Sequence, residues 1–126
     1  MCAIARTHLP NVMEELDRVF EKVSHYFSLL SEPTRLRILH ALCGGERSVN
    51  DVVTEVRSSQ TNVSRHLNAM YQAGVLARRK EGNQVYYTIA DTGVVEICRA
   101  VCVQVAGRIE EEALPHRAVD GFMPRG

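Results

Sequence analysis

The hydrophobic period of the chain changes in its middle, and this change constrains the fold more than any other feature. Up to Gly74, apolar residues recur at helical spacing, which predicts two short helices over about 48–56 and 60–72. After Gly74 the helical spacing stops, and residues 75–80 and 84–89 are predicted to form two strands joined by a turn. Two short helices followed by a hairpin predict a winged helix-turn-helix, in which the second helix enters the major groove of DNA.

Longer helical patterns flank this middle region. Asn11 and Glu14 form the pattern of a capping box, which opens a first helix over about 12–30. A second helix begins near Pro33, which suits a first helical turn, and ends at the two glycines 44–45. A last helix is predicted from about 92 to 113. The fold class is therefore mainly α with a β-hairpin wing.

The length of 126 residues is enough for one domain of ordinary size. We expect this domain over 11–114, with a flexible N-terminal arm over 1–10 and a flexible tail over 115–126. No apolar run approaches the roughly 20 residues that span a bilayer, and the first residues lack a signal-peptide core. We therefore expect a cytoplasmic protein.

The charges are balanced in number but not in position. The 15 Lys and Arg residues cancel the 15 Asp and Glu residues, so net charge says nothing about partners. Between Arg57 and Lys80, however, five residues are basic and none is acidic, whereas acidic residues gather near both ends of the chain. A polyanion such as duplex DNA could dock on the middle of the chain.

The candidate DNA contacts follow from this placement. Gln, Asn and Arg side chains make bidentate contacts to base edges, and Ser and Thr bond to bases or phosphates. Cations on a wing contact phosphates, which adds affinity and salt dependence. Gly82 is expected to supply the geometry of the wing turn. The predicted DNA-binding residues are Ser48, Gln60, Thr61, Asn62, Ser64, Arg65, His66, Arg78, Arg79, Lys80 and Asn83.

A symmetric operator has two identical half-sites, so a protein that binds it through a single DNA-binding domain needs a second copy of itself. The first and last helices each carry an apolar stripe, and a small domain cannot bury both long helices fully. We therefore predict a homodimer through these two helices. The interface residues are expected to be Leu16, Val19 and Val23 on the first helix and Val94, Val101 and Val105 on the last.

From about residue 26 to 105 the chain resembles the ArsR/SmtB family of bacterial repressors. The resemblance is carried, in order, by residues 30–39 (LSEPTRLRIL), 60–67 (QTNVSRHL), 74–76 (GVL) and 79–87 (RKEGNQVYY). Each segment is weak alone, but the combination is specific. The resemblance implies a homodimeric repressor that binds a double-stranded operator and releases it when a small inducer arrives.

The chain has four cysteines, and two of them are placed together. Cys98 and Cys102 are four residues apart, so they share one face of the last helix, and two thiolates at that spacing can bind one soft ion. Cys43, at the end of the second helix, or Cys2, on the arm, could add a third thiol. A plainer interpretation treats Cys98 and Cys102 as small apolar residues in a packed seam.

Comparison with the ArsR/SmtB family reduces the number of possible inducer classes but does not identify the inducer. The Cys-x-Cys motif of some metal-sensing members is absent at 48–51, and of the zinc sensors' last-helix ligands only Asp91 is present. Arsenite-binding members cluster cysteines on the last helix, as Cys98 and Cys102 do. Sulfide-responsive members use one cysteine on the second helix and one on the last, as Cys43 with Cys98 or Cys102 would, although Cys43 is displaced from their position.

Two inducer classes therefore stay open. Arsenite or a soft metal ion would bind the thiols, or a reactive sulfur species or oxidant would link Cys43 to a last-helix cysteine. No obligatory cofactor is expected. Enzymatic activity is not expected either, because neither a nucleophile with an oriented base nor a phosphate-binding glycine motif is present. A DNA-binding protein without any ligand is a further alternative.

Overall fold

The computed structural model describes residues 11–110, and within them it shows the predicted winged helix-turn-helix. The elements follow in the order α1 (Val12–Leu29), α2 (Pro33–Leu42), β1 (Arg47–Ser48), α3 (Val49–Val56), α4 (Gln60–Gln72), β2 (Leu76–Glu81), β3 (Gln84–Ile89) and α5 (Thr92–Arg108). The chain divides between Ser31 and Glu32 into two compact units; α1 belongs to one, and α2 to α5 belong to the other. The predicted arm 1–10, the tail 115–126 and Cys2 lie outside the described residues. The single domain over 11–114 stays a prediction.

Helix α1 begins with the predicted capping box. The Asn11 side chain accepts a hydrogen bond from the Glu14 amide at 2.8 Å, and the Asn11 amide donates to the Glu14 carboxylate at 3.1 Å. Large apolar side chains of α1 are exposed in the single chain: Val12, Met13, Leu16, Val19, Phe20, Val23 and Phe27. An exposed apolar row of this length is typical of an interaction surface.

Helices α2, α3 and α4 pack on one another around an apolar core. Ser48 caps the start of helix α3, because its hydroxyl accepts a hydrogen bond from the Asp51 backbone amide at 3.1 Å. Burying an aliphatic side chain contributes about 1.5–3 kcal/mol, so this core fixes the orientation of α4. Its fully buried side chains are Ile38, Leu39, Val52, Val63, Leu67 and Met70.

The wing belongs to a three-stranded antiparallel sheet with the strand order β1-β3-β2. Strand β1 is only two residues long, too short to show a period in the sequence, and it was not predicted. Because Glu81 pairs with Gln84, the wing turn consists of Gly82 and Asn83 alone. Gly82 has a φ of 62°, in the left-handed region that favours glycine, which confirms its expected role in the turn.

Helix α5 is attached to the base of the wing at its first turn. The amides of Ala90 and Asp91 both donate to the Val75 carbonyl, at 2.9 and 3.2 Å, and the Asp91 side chain caps the helix through the Gly93 amide at 2.9 Å. The predicted end near 113 was wrong, because α5 ends at Arg108. Gly107 in the last turn is a poor helix former, which favours this earlier end.

None of the helices within 11–110 combines the length and the apolar character that crossing a membrane requires.

Candidate nucleic-acid interface and thiol cluster

The outer face of α4 carries most of the predicted base-reading residues. The helix starts where the Ser59 hydroxyl accepts from the Asn62 amide at 3.1 Å. Gln60, Thr61 and Arg65 are exposed, and Asn62 and Ser64 are half-buried. No residue of α4 is acidic, so this face carries donors, acceptors and one guanidinium without a carboxylate to repel DNA.

Two of these side chains are already hydrogen-bonded to each other. The Arg65 guanidinium donates to the Asn62 carbonyl oxygen at 2.7 Å, and the Asn62 amide group donates to the Ser58 hydroxyl at 2.9 Å. All three groups lie near the N-terminal end of α4. The network holds Arg65 by neutral partners, so its full positive charge stays available to an anion.

Asn68 is a candidate that the sequence analysis missed. It is exposed on α4, three residues after Arg65 and four after Ser64. Residues at these spacings share one helix face, so Asn68 extends the polar surface toward the C-terminal end of α4. The spacing itself was the signal that would have found it.

His66 was predicted to bind DNA, but the structure places it in the core. Its side chain is 1% exposed, and its Nδ1 accepts a hydrogen bond from Arg35 Nε on α2 at 3.0 Å. His66 follows the buried Val63 by three residues and therefore lies on the core-facing stripe of the helix. It anchors α4 to α2 and does not face a DNA groove.

The surroundings of His66 keep its imidazole neutral. Burial lowers the pKa of His66, and the positive charges of Arg35 and Arg65 lower it further, against an opposing effect of Glu32. A neutral ring with an accepting Nδ1 matches the observed hydrogen bond from Arg35. The packing of α4 on α2 therefore depends on an uncharged His66.

Ser48 also needs a correction, because it was considered for phosphate binding. Its side chain is buried, and its hydroxyl accepts from the Asp51 amide at the start of α3. Ser48 is only 7% exposed, so it is not presented to a phosphate. It acts instead as the cap of α3.

The three cations of the wing have different surroundings. Arg78 lies over the Tyr71 ring, with its guanidinium carbon 3.9 Å from the ring centroid, and this contact joins β2 to the last turns of α4. Lys80 is exposed near the wing tip and makes none of the ion pairs or ring contacts found within 11–110. Asn83 is exposed in the turn itself.

Arg79 is held by two carboxylates. Its Nε and Nη2 both donate to the Glu46 carboxylate at 2.8 Å, and its Nη1 lies 3.3 Å from Glu81. The guanidinium also stands over the Tyr86 ring. Hydrogen bonding to Arg79 lowers the pKa of Glu46, so the pair is ionised at neutral pH. A phosphate contact by Arg79 has to compete with this bidentate pair, which the sequence analysis did not foresee.

The predicted interface residues separate into two groups. Leu16, Val19 and Val23 on α1, like Val101 and Val105 on α5, are exposed in the single chain. Val94 is different, because it is only 1% exposed in the single chain. Its assignment to the interface was wrong, since it belongs to the core of the protomer.

The three cysteines within 11–110 are reduced, and they share one region. Cys43 is the C-cap residue of α2 and is half-buried, Cys98 is buried on α5, and Cys102 is half-buried one turn later. Burial raises the pKa of Cys98 to about 11, and the thiols of Cys102 and Cys43 contribute to this rise. Burial also raises the pKa of Cys102. Cys98 therefore lies within electrostatic reach of the other two thiols, and Cys98 and Cys102 are protonated at neutral pH.

The same cysteines do not form a ready-made metal site. Among residues 11–110, no three His, Cys, Asp or Glu side chains are grouped closely enough to bind one metal ion. A cleft of about 240 Å³ opens beside Cys43, and its walls include Leu42, Glu46, Thr88, Ile89 and Val95. A small reagent therefore has room to reach the Cys43 thiol.

Sequence comparison agrees with this geometry. A profile of the "bacterial regulatory protein, arsR family" matches residues 32–78, which run from the start of α2 into β2. An uncharacterised helix-turn-helix transcriptional regulator of Methanocaldococcus jannaschii is 37% identical over 83 residues, which are 65% of this chain and 93% of that protein. The chain belongs to the arsR family. A transcriptional repressor of Synechocystis, described as an SmtB homologue, is 34% identical to this arsR-family chain over 92 residues, or 73% of this chain and 68% of that repressor.

Solved structures give the same result for this arsR-family protein. The solution structure of the homodimeric winged helix-turn-helix DNA-binding domain of Mb0332 from Mycobacterium bovis matches with a TM-score of 0.69 and 28% identity, over 82% of this chain and 95% of that one. Family membership confirms the resemblance and the fold inferred from the sequence. The relatives are transcriptional regulators, so the family agrees with the expectation that the chain is not an enzyme.

Proposed function

We propose that this arsR-family protein is a homodimeric transcriptional repressor that binds duplex operator DNA through α4 and the wing. The observation that carries the proposal is the acid-free outer face of α4, which presents Gln60, Thr61 and Arg65 on a helix fixed by a buried core. A helix of this kind, followed by a hairpin, suits the major groove. Arg78, Lys80 and Asn83 extend the same surface along the wing and are suited to phosphate contacts.

A second copy of the chain is the natural partner for the exposed apolar residues. Apolar side chains stand exposed along α1 and on the second half of α5, and burying them stabilises an assembly by roughly 25 cal/mol per Å². The related Mycobacterium bovis domain is described as homodimeric. A two-fold dimer would present two α4 helices to successive turns of the major groove, about 34–36 Å apart.

In vitro selection of duplexes from a random library tests this proposal directly. The reduced protein should enrich a two-fold symmetric sequence with half-sites about one helical turn apart, and light scattering should show a dimer. Arg65→Ala should fail to enrich the same sequence, whereas Arg18→Ala, an exposed change on α1, should enrich it. Failure of the parent protein to enrich any duplex would contradict the proposal.

A second proposal concerns release of the operator through Cys43, Cys98 and Cys102. It is supported by the electrostatic interaction of Cys98 with both Cys102 and Cys43 and by the cleft that opens beside Cys43. Because α2 packs on α4, a bond that pulls Cys43 toward α5 would shift α4 as well. A coupling of about 1–3 kcal/mol between thiols and operator would suffice for severalfold to hundredfold release.

Two chemistries fit these thiols. Arsenite or a soft metal ion would bind two or three thiolates, with loss of their protons, and the thiols would have to move closer because no grouped site exists within 11–110. Alternatively, an oxidant of the peroxide or polysulfide class would accept two electrons, and two protons would leave as Cys43 joins Cys98 or Cys102. The cleft beside Cys43 favours it as the thiol that a small reagent reaches first, whereas Cys98 is buried.

A release titration with arsenite, cadmium, polysulfide and peroxide separates these chemistries. Cys43→Ser should abolish release by the oxidants, because it removes one partner of the bond. The pair Cys98→Ser and Cys102→Ser should abolish release by arsenite or cadmium. Mass spectrometry should find a bound ion after arsenite or cadmium and a cross-linked peptide after polysulfide or peroxide. Operator binding that is unchanged by every reagent would contradict thiol control and favour a ligand-independent DNA-binding protein.

A further inference from the structure

Arg57 occupies a position where the backbone favours glycine. It is the C-cap of α3 with φ 57° and ψ 46°, and among residues 11–110 it is the only non-glycine residue with a positive φ. A side chain with a Cβ is disfavoured in this left-handed region, whereas glycine adopts it readily. The fold needs the left-handed turn that ends α3, but it does not need an arginine there.

The side chain of Arg57 has no role within the described protein. It is exposed and makes none of the hydrogen bonds, ion pairs or ring contacts found within 11–110. Nearby cations differ in this respect, because Arg47 pairs with Glu55 and Arg65 donates to Asn62. A conformational cost without an internal contact indicates that the side chain serves an external partner.

The position of Arg57 suggests which partner. The residue stands in the turn between α3 and α4, three residues before Gln60, the first residue of α4. Three residues of chain reach at most about 11 Å, so the backbone of Arg57 lies near the end of α4 that carries Gln60 and Thr61, and the exposed, long side chain is within reach of that end. No acidic residue occurs between Arg57 and Lys80, so nothing in this segment competes for the charge.

We infer that Arg57 contacts a phosphate of the DNA backbone at the edge of the groove that α4 enters. The inference rests on the proposed DNA-binding function and deepens it by naming a contact that fixes the position of α4. Guanidinium donates two parallel hydrogen bonds to phosphate oxygens, which gives both charge and orientation. The contact would raise affinity for all duplexes and leave base preference unchanged.

Arg57→Gly separates this role from a structural one, because the two predict opposite outcomes for stability. The variant should melt at the same temperature as the parent or higher, since glycine relieves the left-handed conformation. Its affinity for both the selected duplex and a random-sequence duplex should fall about fivefold to tenfold near 0.1 M salt. The slope of log affinity against log salt should become shallower by about one.

Two further variants complete the experiment. Arg57→Lys keeps the charge and should retain most of the salt slope. Arg18→Ala removes one exposed positive charge from α1 and should change affinity and slope little. An Arg57→Gly protein that binds both duplexes like the parent would overturn the inference, as would an equal loss in Arg18→Ala. Failure of the parent to bind any selected duplex would instead overturn the proposed function, and this inference with it.

Discussion

Helix α4 and the wing both carry cations toward the same proposed surface, but they hold them differently. On α4, Arg65 is bonded to the neutral Asn62, and no residue of the helix is acidic. On the wing, Arg79 is paired with the carboxylates of Glu46 and Glu81. The difference shows that a count of basic residues in a segment does not give the charge available to DNA. The partner of each cation decides its contribution.

The largest expected effect comes from removing Arg65, the cation whose hydrogen-bond partner is neutral. Arg65→Ala should lose about 1–3 kcal/mol of discrimination between the selected operator and a duplex changed at one base pair per half-site, because a bidentate base contact is lost. Asn62 would also lose the hydrogen bond from Arg65 and keep the one to Ser58. Competition binding with a panel of single-base variants measures the loss. If Arg65→Ala discriminated between the operator and every single-base variant as well as the parent does, Arg65 would not contact a base.

The free energy of unfolding should depend on pH through His66, which joins α4 to α2. Because the pKa of His66 is lowered in the folded protein, the unfolded chain takes up a proton that the folded chain does not. Stability should therefore fall as the pH drops below about 6.5, by no more than about 1.4 kcal/mol per pH unit from this group. Urea unfolding between pH 8 and 5 measures this dependence.

His66→Gln is the matched control for the pH experiment. Glutamine can accept from Arg35 but does not titrate, so the part of the pH dependence that belongs to His66 should disappear. A pH dependence that survives this substitution in full would show that other groups cause it.

On the wing, Lys80→Ala and Arg79→Ala form a direct comparison, since each removes one positive charge. Lys80→Ala should make the salt dependence of DNA binding shallower by about one, because an exposed cation contacts a phosphate. Arg79→Ala should change the slope less, because Arg79 is already paired with Glu46 and Glu81. Fluorescence anisotropy at several salt concentrations gives both slopes. Equal changes would mean that the ion pair opens at no cost when DNA binds.

The smallest expected effect is a gain of affinity. Glu46→Gln should raise affinity for all duplexes about twofold to fivefold. The substitution weakens the pairing with Arg79, which leaves the guanidinium more available to a phosphate, and it removes a negative charge that repels DNA. Glu96→Gln on α5 removes the same charge from an exposed site outside the wing and should have little effect. An unchanged affinity in Glu46→Gln would show that Arg79 does not face DNA.

Most of the fold follows from local sequence signals. The cap at Asn11, the cap at Ser48 and the turn at Gly82 are each specified by side-chain chemistry within a few residues, and all three are present. Strand β1 could not be predicted in the same way. Its two residues are ordered by pairing with Tyr86 and Tyr87, which lie far away in sequence.

The candidate site was only partly readable for a related reason. The polarity of Arg65 and His66 is similar in the sequence, yet one points outward and the other into the core, where Arg35 satisfies it. The spacing of His66 after Val63 indicates a core-facing position, but its partner Arg35, 31 positions away, leaves no local signal. The same holds for Arg79, because its partner Glu46 comes from the loop before β1.

The central claim is that two copies of the acid-free face of α4 read the major groove, and dimethyl sulfate protection on the selected duplex tests it most directly. This reagent methylates guanine N7 in the major groove and adenine N3 in the minor groove. The parent protein should protect guanine N7 in two major-groove segments about one helical turn apart, and Arg65→Ala should lose protection at one matching position in each. Protection confined to adenine N3, or to one segment alone, would contradict the claim.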